Sequence, residues 1–368
     1  MKGNYDFQDP FSSSFNYMKV RYQEYDDVLT DLDFLCQNDK VSLFINLETV
    51  FKHLSMINDL ERKLFACRDF DVLFISNFLN LAAHYKRFLV SNTLDTKIYL
   101  YYTDMESKEF HESEINEDYR SYYINKYNNN PRFVYMTDGL KFNVLPNLKT
   151  YATYIPNVYC ISAKNIEGSL VPLIISKTEP DRKPIVLSSE FYDSQYLYID
   201  RFHLTYLSRT QTQGPMHSDV KFFLNTQMRQ SGDSETIQSL SNVYDNYAFY
   251  CSFLSCVGDR DRSIDGVEGI GPATLGNYLK NALLSNTITK SSDSIALLSE
   301  IFKDPNTREE FKVSYLCSCL EQMYQRLTET EIQSITDQIV DKSDINTLQS
   351  INRTKFSNHP IMLDSLLM

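Results

Sequence analysis

Two kinds of apolar pattern divide this chain. Short continuous runs, VSLFIN (41–46), KIYLYYTD (97–104) and PIVLSS (184–189), predict strands buried on both faces, as in a parallel sheet. RFVYMTD (132–138) and YATYIPNVYCISA (151–163) also read as strand-like. Between them lie longer stretches with helical character. FDVLFISNFLNLAAHYKRFLV (70–90) predicts a core helix that closes on Lys86 and Arg87, and NIEGSLVPLIIS (165–176) a second helix. Strand, helix, strand, helix at this spacing predicts an α/β fold: a central, mostly parallel sheet flanked by helices. In such sheets chemistry gathers at the carboxyl ends of the strands.

Outside that core the pattern changes. Residues 1–40 are acidic and aromatic and read as an arm carrying one short helix, DVLTDLDFL. Residues 105–130 are polar surface helix and loop. From about 240 onward the chain reads as helical, with a cap at Thr328 before TETEIQSITDQIV (328–340). Four regions are therefore expected: an arm (1–40), the α/β core (41–210), a helical region with a Gly-punctuated hairpin (211–285) and a helical extension (286–368).

Composition narrows the function. With 42% hydrophobic residues in 368, a packed core is assured. The abundance of Asn, Tyr, Lys and Ile points to an AT-rich genome, such as that of a virus. A net charge of −12 argues against sequence-blind coating of DNA, so any nucleic-acid surface must be a local basic patch. The seven cysteines include no CxxC pair and read as reduced core residues of a cytoplasmic protein, in host cytoplasm if viral. No apolar signal core or membrane span is expected. The six histidines lack metal-ligand spacing, and Ser188-Ser189 is not in a nucleophile elbow.

The most specific string is GDRDRSIDGVEGIGPATLGNYLKN (258–281). Gly269 and Gly271 permit a sharp turn and close approach of a ligand. Pro272 suits the first turn of a helix, whose free amides can hold a phosphate. This is the logic of a helix–hairpin–helix that grips DNA through its backbone without reading bases. The preceding aromatic pattern near 244–256 reads as the helix packing this hairpin, with a base-stacking platform as the alternative.

The string resembles the GDxSDNIPGVxGIGxKTA segment of the flap-endonuclease superfamily of 5′-nucleases, which includes the bacterial DNA polymerase I 5′-nuclease domain and phage RNase H-type exonucleases. Earlier landmarks come in the same order. SAKNIEGSL (162–170) sits where that family has EADDVIGTL, and IVLSSEFYDSQYL (185–197) where it has a strand then SSDKDLxQL. KIYLYYTD and VSLFIN match its Asp-ended strands. The resemblance spans roughly residues 41–285. It implies a PIN-like 5′-nuclease core followed by a helix–three-turn–helix. For DNA contact it implies Val267, Gly269, Ile270, Gly271, Thr274 and Lys280, with Lys126 of YYINKY (122–127) as the remnant of a basic pattern.

The resemblance also implies a ring of acids holding two divalent ions, Mg²⁺ or Mn²⁺, and K⁺ at the hairpin carbonyls. Position by position, Asp104, Glu190 and Asp259 retain a carboxylate. Asn46, Ser162, Lys164, Asn165, Tyr192 and Arg262 stand where the family has acids. Glu167, Asp193 and Asp261 are neighbouring acids that a one-residue slip could recruit. Lys164 and Arg262 would repel Mg²⁺ inside a partly desolvated cage. They could instead act as fixed cations toward the remaining acids or a DNA phosphate. The site could equally have become a salt-bridged core. Three functions are consistent with this: a pseudonuclease that binds branched or 5′-ended duplex as an accessory factor in replication or a viral assembly; an active Mg²⁺-dependent 5′–3′ exonuclease or flap endonuclease; or a protein–protein scaffold.

Overall fold

The computed structural model describes residues 39–47, 70–90, 93–104, 144–164, 166–188, 199–206, 266–270, 305–358 and 360–367, and the single positions Asp193, Gln195, Tyr196, Cys251, Ser255, Cys256, Gly258 and Thr274. They fall into two compact units. The first combines the described residues of Met1–Met105, Asn130–Ser188 and Glu329–Met368; the second those of Glu106–Asn129 and Ser189–Thr328.

The first unit is built on four parallel strands: β1 (Lys40–Asn46), β2 (Asp95–Asp104), β3 (Val158–Lys164) and β4 (Lys183–Ser188). Their order across the sheet is β3-β2-β1-β4. The chain therefore steps outward from β1 to β2 to β3, then returns to the far side of β1. Every residue of β1 after Lys40 is buried, as a strand covered on both faces requires. Helix α1 (Phe70–Val90) supplies cover with Phe74, Phe78, Ala82, Tyr85 and Leu89, spaced three or four apart. Asp71 in its first turn and Arg87 in its last complement the helix dipole.

Two sequence expectations need correction. Residues 151–163 are not one strand. Tyr151 and Ala152 close helix α2 (Leu145–Ala152), and a turn with Asn157 at φ 60° precedes β3. Pro146, in the first turn of α2, suits a helix start, which outweighs the β-branched and aromatic character of residues 150–155. Nor is 165–176 helical throughout. A 3₁₀ turn (Gly168–Leu170) comes first, and helix α3 runs Val171–Thr178 with Pro172 in its first turn. The stretch 132–138 lies outside the described residues.

The end of the chain packs on the sheet unit. Helices α6 (Glu329–Thr336), α7 (Ile345–Thr354) and α8 (Leu363–Leu367) belong to it, with α6 against α3 and β3, and α8 against α1. Amide side chains hold this segment. Asn80 donates to the Pro360 carbonyl (3.1 Å) and accepts from the Met362 N–H (2.7 Å). Asn352 does the same with both backbone groups of Ile361. Buried Lys86 donates to the carbonyls of Pro156 (2.8 Å) and Leu366 (2.5 Å). Burial lowers its pKa, against the pull of Asp341 and Asp95. Asp344 caps α7 through the Thr347 N–H (3.0 Å). The hydrogen bond from the Thr347 hydroxyl, together with this one, holds its carboxyl below the usual range.

A polar network lies at the amino ends of β1, β2 and β4. Arg182 donates to Ser42 Oγ (3.0 Å), Asp95 Oδ2 (2.5 Å) and the Val41 carbonyl (2.7 Å). Glu179 accepts from Lys97 (2.5 Å) and from the Tyr99 hydroxyl (3.0 Å). Tyr99 stacks between Phe44 and Tyr159, with ring centroids 5.0 and 5.1 Å away.

In the second unit the described elements are β5 (His203–Tyr206), α4 (Pro305–Ser318) and α5 (Leu320–Tyr324). Buried Gln195 ties several segments together. It donates to the Ser318 carbonyl (2.8 Å) and accepts from the Leu320 N–H (3.0 Å) and the Cys251 thiol (3.3 Å). Cys160, Cys251, Cys256 and Cys319 are buried thiols outside any disulfide. Among the described residues no helix is long and apolar enough to cross a membrane.

Candidate functional site

The strand order places a topological switch between β1 and β4, because the chain leaves β1 in one direction and returns on its other side. Ligands of parallel sheets bind outside the carboxyl ends of the strands at such a point. The four strands end there in Asn46, Asp104, Lys164 and Ser188. Those ends thus carry one carboxylate and one ammonium group.

Asn46 is buried and pairs in register with Tyr101 of β2. Asp104, half-buried, closes β2 and faces Lys164 as its register partner on β3. Partners in adjacent strands are separated by about 4.8 Å, so acid and cation occupy neighbouring backbone positions. Lys164 is exposed. The buried hydroxyl of Ser162 donates to Asp104 Oδ2 at 3.1 Å. Where the resemblance implied an acid, this chain therefore has a donor to the acid at Asp104. Beside them, burial raises the pKa of the Tyr102 phenol, helped by Cys160 and Asp104.

Ser162 is fixed from outside the sheet. Gln338, just past α6, accepts from the Ser162 N–H (2.9 Å) and donates to the Ser162 carbonyl (2.9 Å). It also accepts from Lys149 (2.7 Å) and donates to the Ser334 carbonyl (2.7 Å). Its amide pairs with the edge of β3 much as another strand would. Nothing in the local sequence marks Gln338 for this role.

A second acid lies beside the end of β2. Glu167 is buried and caps the 3₁₀ turn, where the Leu170 N–H donates to its carbonyl (2.9 Å). The next residue, Gly168, donates its N–H to Thr103 Oγ1 at 3.0 Å. A side chain there would meet Thr103 Oγ1 at 2.6 Å and its backbone nitrogen at 3.0 Å. Only glycine allows this close crossing, which sets Glu167 next to the residue preceding Asp104.

The test for a divalent-metal cage is the donor set. Two Mg²⁺ ions need several hard oxygen ligands. Among the described residues, no three His, Cys, Asp or Glu side chains come together to hold a metal ion. The expected ring members Glu190, Asn165, Tyr192, Asp259 and Arg262 lie outside the described residues, as do Lys126, Gly271 and Lys280. In the second unit Asp193 is fully buried.

Of the hairpin, residues 266–270 and Thr274 are described. Val267 is buried, and its N–H donates to the Cys256 carbonyl (2.9 Å). The Ile270 N–H donates to the Val267 carbonyl (3.0 Å), closing a turn with Glu268 and Gly269 at its tip. Gly269 has φ 76°, the conformation the third residue of such a turn needs. Thr274 is helical and half-buried.

No protein-family model matches the chain, and no curated protein matches it. Among solved structures it is similar to bacteriophage T5 proteins. The T5 D15 protein co-crystallised with metal ions has a TM-score of 0.46 at 14% identity, covering 81% of this chain and 99% of that one. A T5 D15 flap endonuclease in a pseudo-enzyme–product complex with DNA and metal ions gives 0.43 at 12%, covering 81% and 98%. A mutant T5 5′-exonuclease gives 0.41 at 12%, covering 86% and 99%.

Proposed function

We propose that this protein binds branched or 5′-ended duplex DNA through backbone contacts and cleaves it poorly or not at all, as an accessory factor in DNA metabolism. The carrying observation is the row of strand-end residues Asn46, Asp104, Lys164 and Ser188 along the carboxyl edge of the sheet. Among the described strand ends there is one acid, already hydrogen-bonded by Ser162, and it does not by itself make a two-metal cage. A row with an exposed ammonium group at Lys164 suits a phosphate better than a divalent ion. The exposed tip of the turn, Glu268 and Gly269, adds backbone amides suited to phosphate contact without regard to sequence.

The test is a labelled 5′-flap duplex incubated with protein in Mg²⁺, Mn²⁺ or EDTA, read for both gel shift and cleavage. Binding in all three without cutting, and weakening steeply with salt, is the expected result. Metal-dependent cutting would overturn the pseudonuclease reading. Absence of any binding would leave a protein–protein scaffold. One observation favours the active-nuclease reading: Glu167 is a second buried acid, and its neighbour Gly168 crosses β2 at Thr103, the residue before Asp104. In that case cutting should disappear in Glu167→Gln and Asp104→Asn alike.

A further inference from the structure

The hairpin turn carries a contact unrelated to the strand ends. At its tip the Glu268 N–H donates to Oε2 of Glu310 at 3.1 Å. Glu310 lies on α4, 42 residues further along the chain, and its side chain is exposed. On the Gly269 side of the same tip, no atom of the described residues lies within 4 Å of where a Cβ would stand, and Gly269 is exposed. The tip is therefore open to a ligand while one of its amides is already taken by an anionic oxygen.

A carboxylate oxygen and a phosphate oxygen are equivalent partners for a backbone amide. The Glu268 N–H has one hydrogen, so it serves one at a time. A phosphate arriving there also meets the negative charge of Glu310. We infer that Glu310 is a built-in phosphate surrogate. It occupies the hairpin amide in the free protein and must leave before a nucleic-acid phosphate can take that amide. The inference rests on the proposed DNA-binding role of the hairpin. Because the contact is solvent-exposed, it is a weak competitor that tunes affinity and does not lock the hairpin shut. It also gives the acidic chain a means of discrimination. A lone phosphate contact is too weak to displace Glu310, whereas a duplex engaging several sites together can do so.

The experiment uses the full-length, ¹⁵N-labelled chain and three forms: wild type, Glu310→Ala and Glu268→Ala. The amide resonance of residue 268 reports the contact, and fluorescence anisotropy with a 5′-flap duplex reports affinity. Glu310→Ala is expected to move the residue 268 amide and to tighten binding about three- to tenfold, the size of one competing charge-assisted hydrogen bond. Glu268→Ala removes an equal charge from the same tip and should tighten binding less. An unmoved amide in Glu310→Ala would overturn the inference. So would unchanged or weaker affinity, or an equal gain in both variants, which would reduce the effect to net charge. If no form binds DNA, the proposed function fails separately, and inorganic phosphate becomes the probe. It should then shift the residue 268 amide of Glu310→Ala at lower concentration than that of wild type. Equal titrations would overturn the surrogate role.

Discussion

Replacing Gln338 with Ala tests how far the end of the chain controls the sheet. The side chain makes four hydrogen bonds, two of them to the backbone of Ser162 on the edge strand β3. The bond to the Ser334 carbonyl is exposed, and water replaces it at little cost. The two at Ser162 are half-buried and contribute about 1 kcal/mol each net, and the bond from Lys149 about 1 more. Against this, freeing the glutamine rotamers returns about 1 kcal/mol. The variant should therefore lose about 2 kcal/mol, a factor of about 30 in the local opening equilibrium. Because the chain has two compact units, a single unfolding midpoint is a poor reporter. Native-state hydrogen exchange is better: the Ser162 amide should lose about thirtyfold protection while amides of the central strand β1 change little. Gln338→Glu should be at least as damaging, since a carboxylate sets lone pairs against the Ser162 and Ser334 carbonyls. Unchanged Ser162 protection in the Ala variant would refute the clamp. An equal loss in β1 would show that Gln338 acts only on global stability.

The geometry supports three further expectations. Gly168→Ala should destabilise the sheet unit by about 1–3 kcal/mol in thermal or urea unfolding, because the new methyl meets β-branched Thr103 and its backbone, neither of which can swing aside. Arg182→Ala should cost about 2–3 kcal/mol by the same assay, since it removes the hydrogen bonds to Ser42, Asp95 and the Val41 carbonyl while Glu179 keeps Lys97 and Tyr99, and Arg182→Lys should recover little because one ammonium group cannot span the three acceptors. Alkaline titration should unfold the protein through its phenols. Burial raises the pKa of Tyr99 and Tyr102 above the ordinary 10, and that of Tyr159 up to about 12. The folded state then keeps protons that the unfolded chain releases, so stability holds below pH 10 and falls as pH rises from there through 12. Circular dichroism against pH should show this, with a shallower fall in Tyr99→Phe.

Legibility in the sequence tracked burial. β1, β2, β4 and α1 were readable to within a residue or two because continuous apolar runs admit few other structures. The split at Ala152 was not, because Tyr151, Tyr154 and Ile155 look alike to a propensity argument while Pro146 and the turn at Asn157 decide the outcome. Asn46, Asp104, Ser162 and Lys164 were singled out through a motif resemblance, and the register sets the last three on adjacent strands. Gln338 and Glu310 were invisible. Each acts through one side chain on a backbone group at least 42 residues away in sequence, and no local pattern encodes that.

The two ends of the sheet have separate physical roles. At the amino ends, Arg182, Glu179, Lys97, Asp95 and Tyr99 form a network in which each buried charge has an opposite partner. Breaking it is costly, so it ties sequence to fold. The carboxyl ends share none of those side chains. A ring of acids there would be mutually repulsive and would need bound cations to offset it. The described strand ends, Asn46, Asp104, Lys164 and Ser188, carry less of that repulsion, and Ser162 supplies Asp104 with a hydrogen-bond donor. Substitutions at the carboxyl ends are therefore expected to leave the amino-end network, and with it the stability of the sheet, intact.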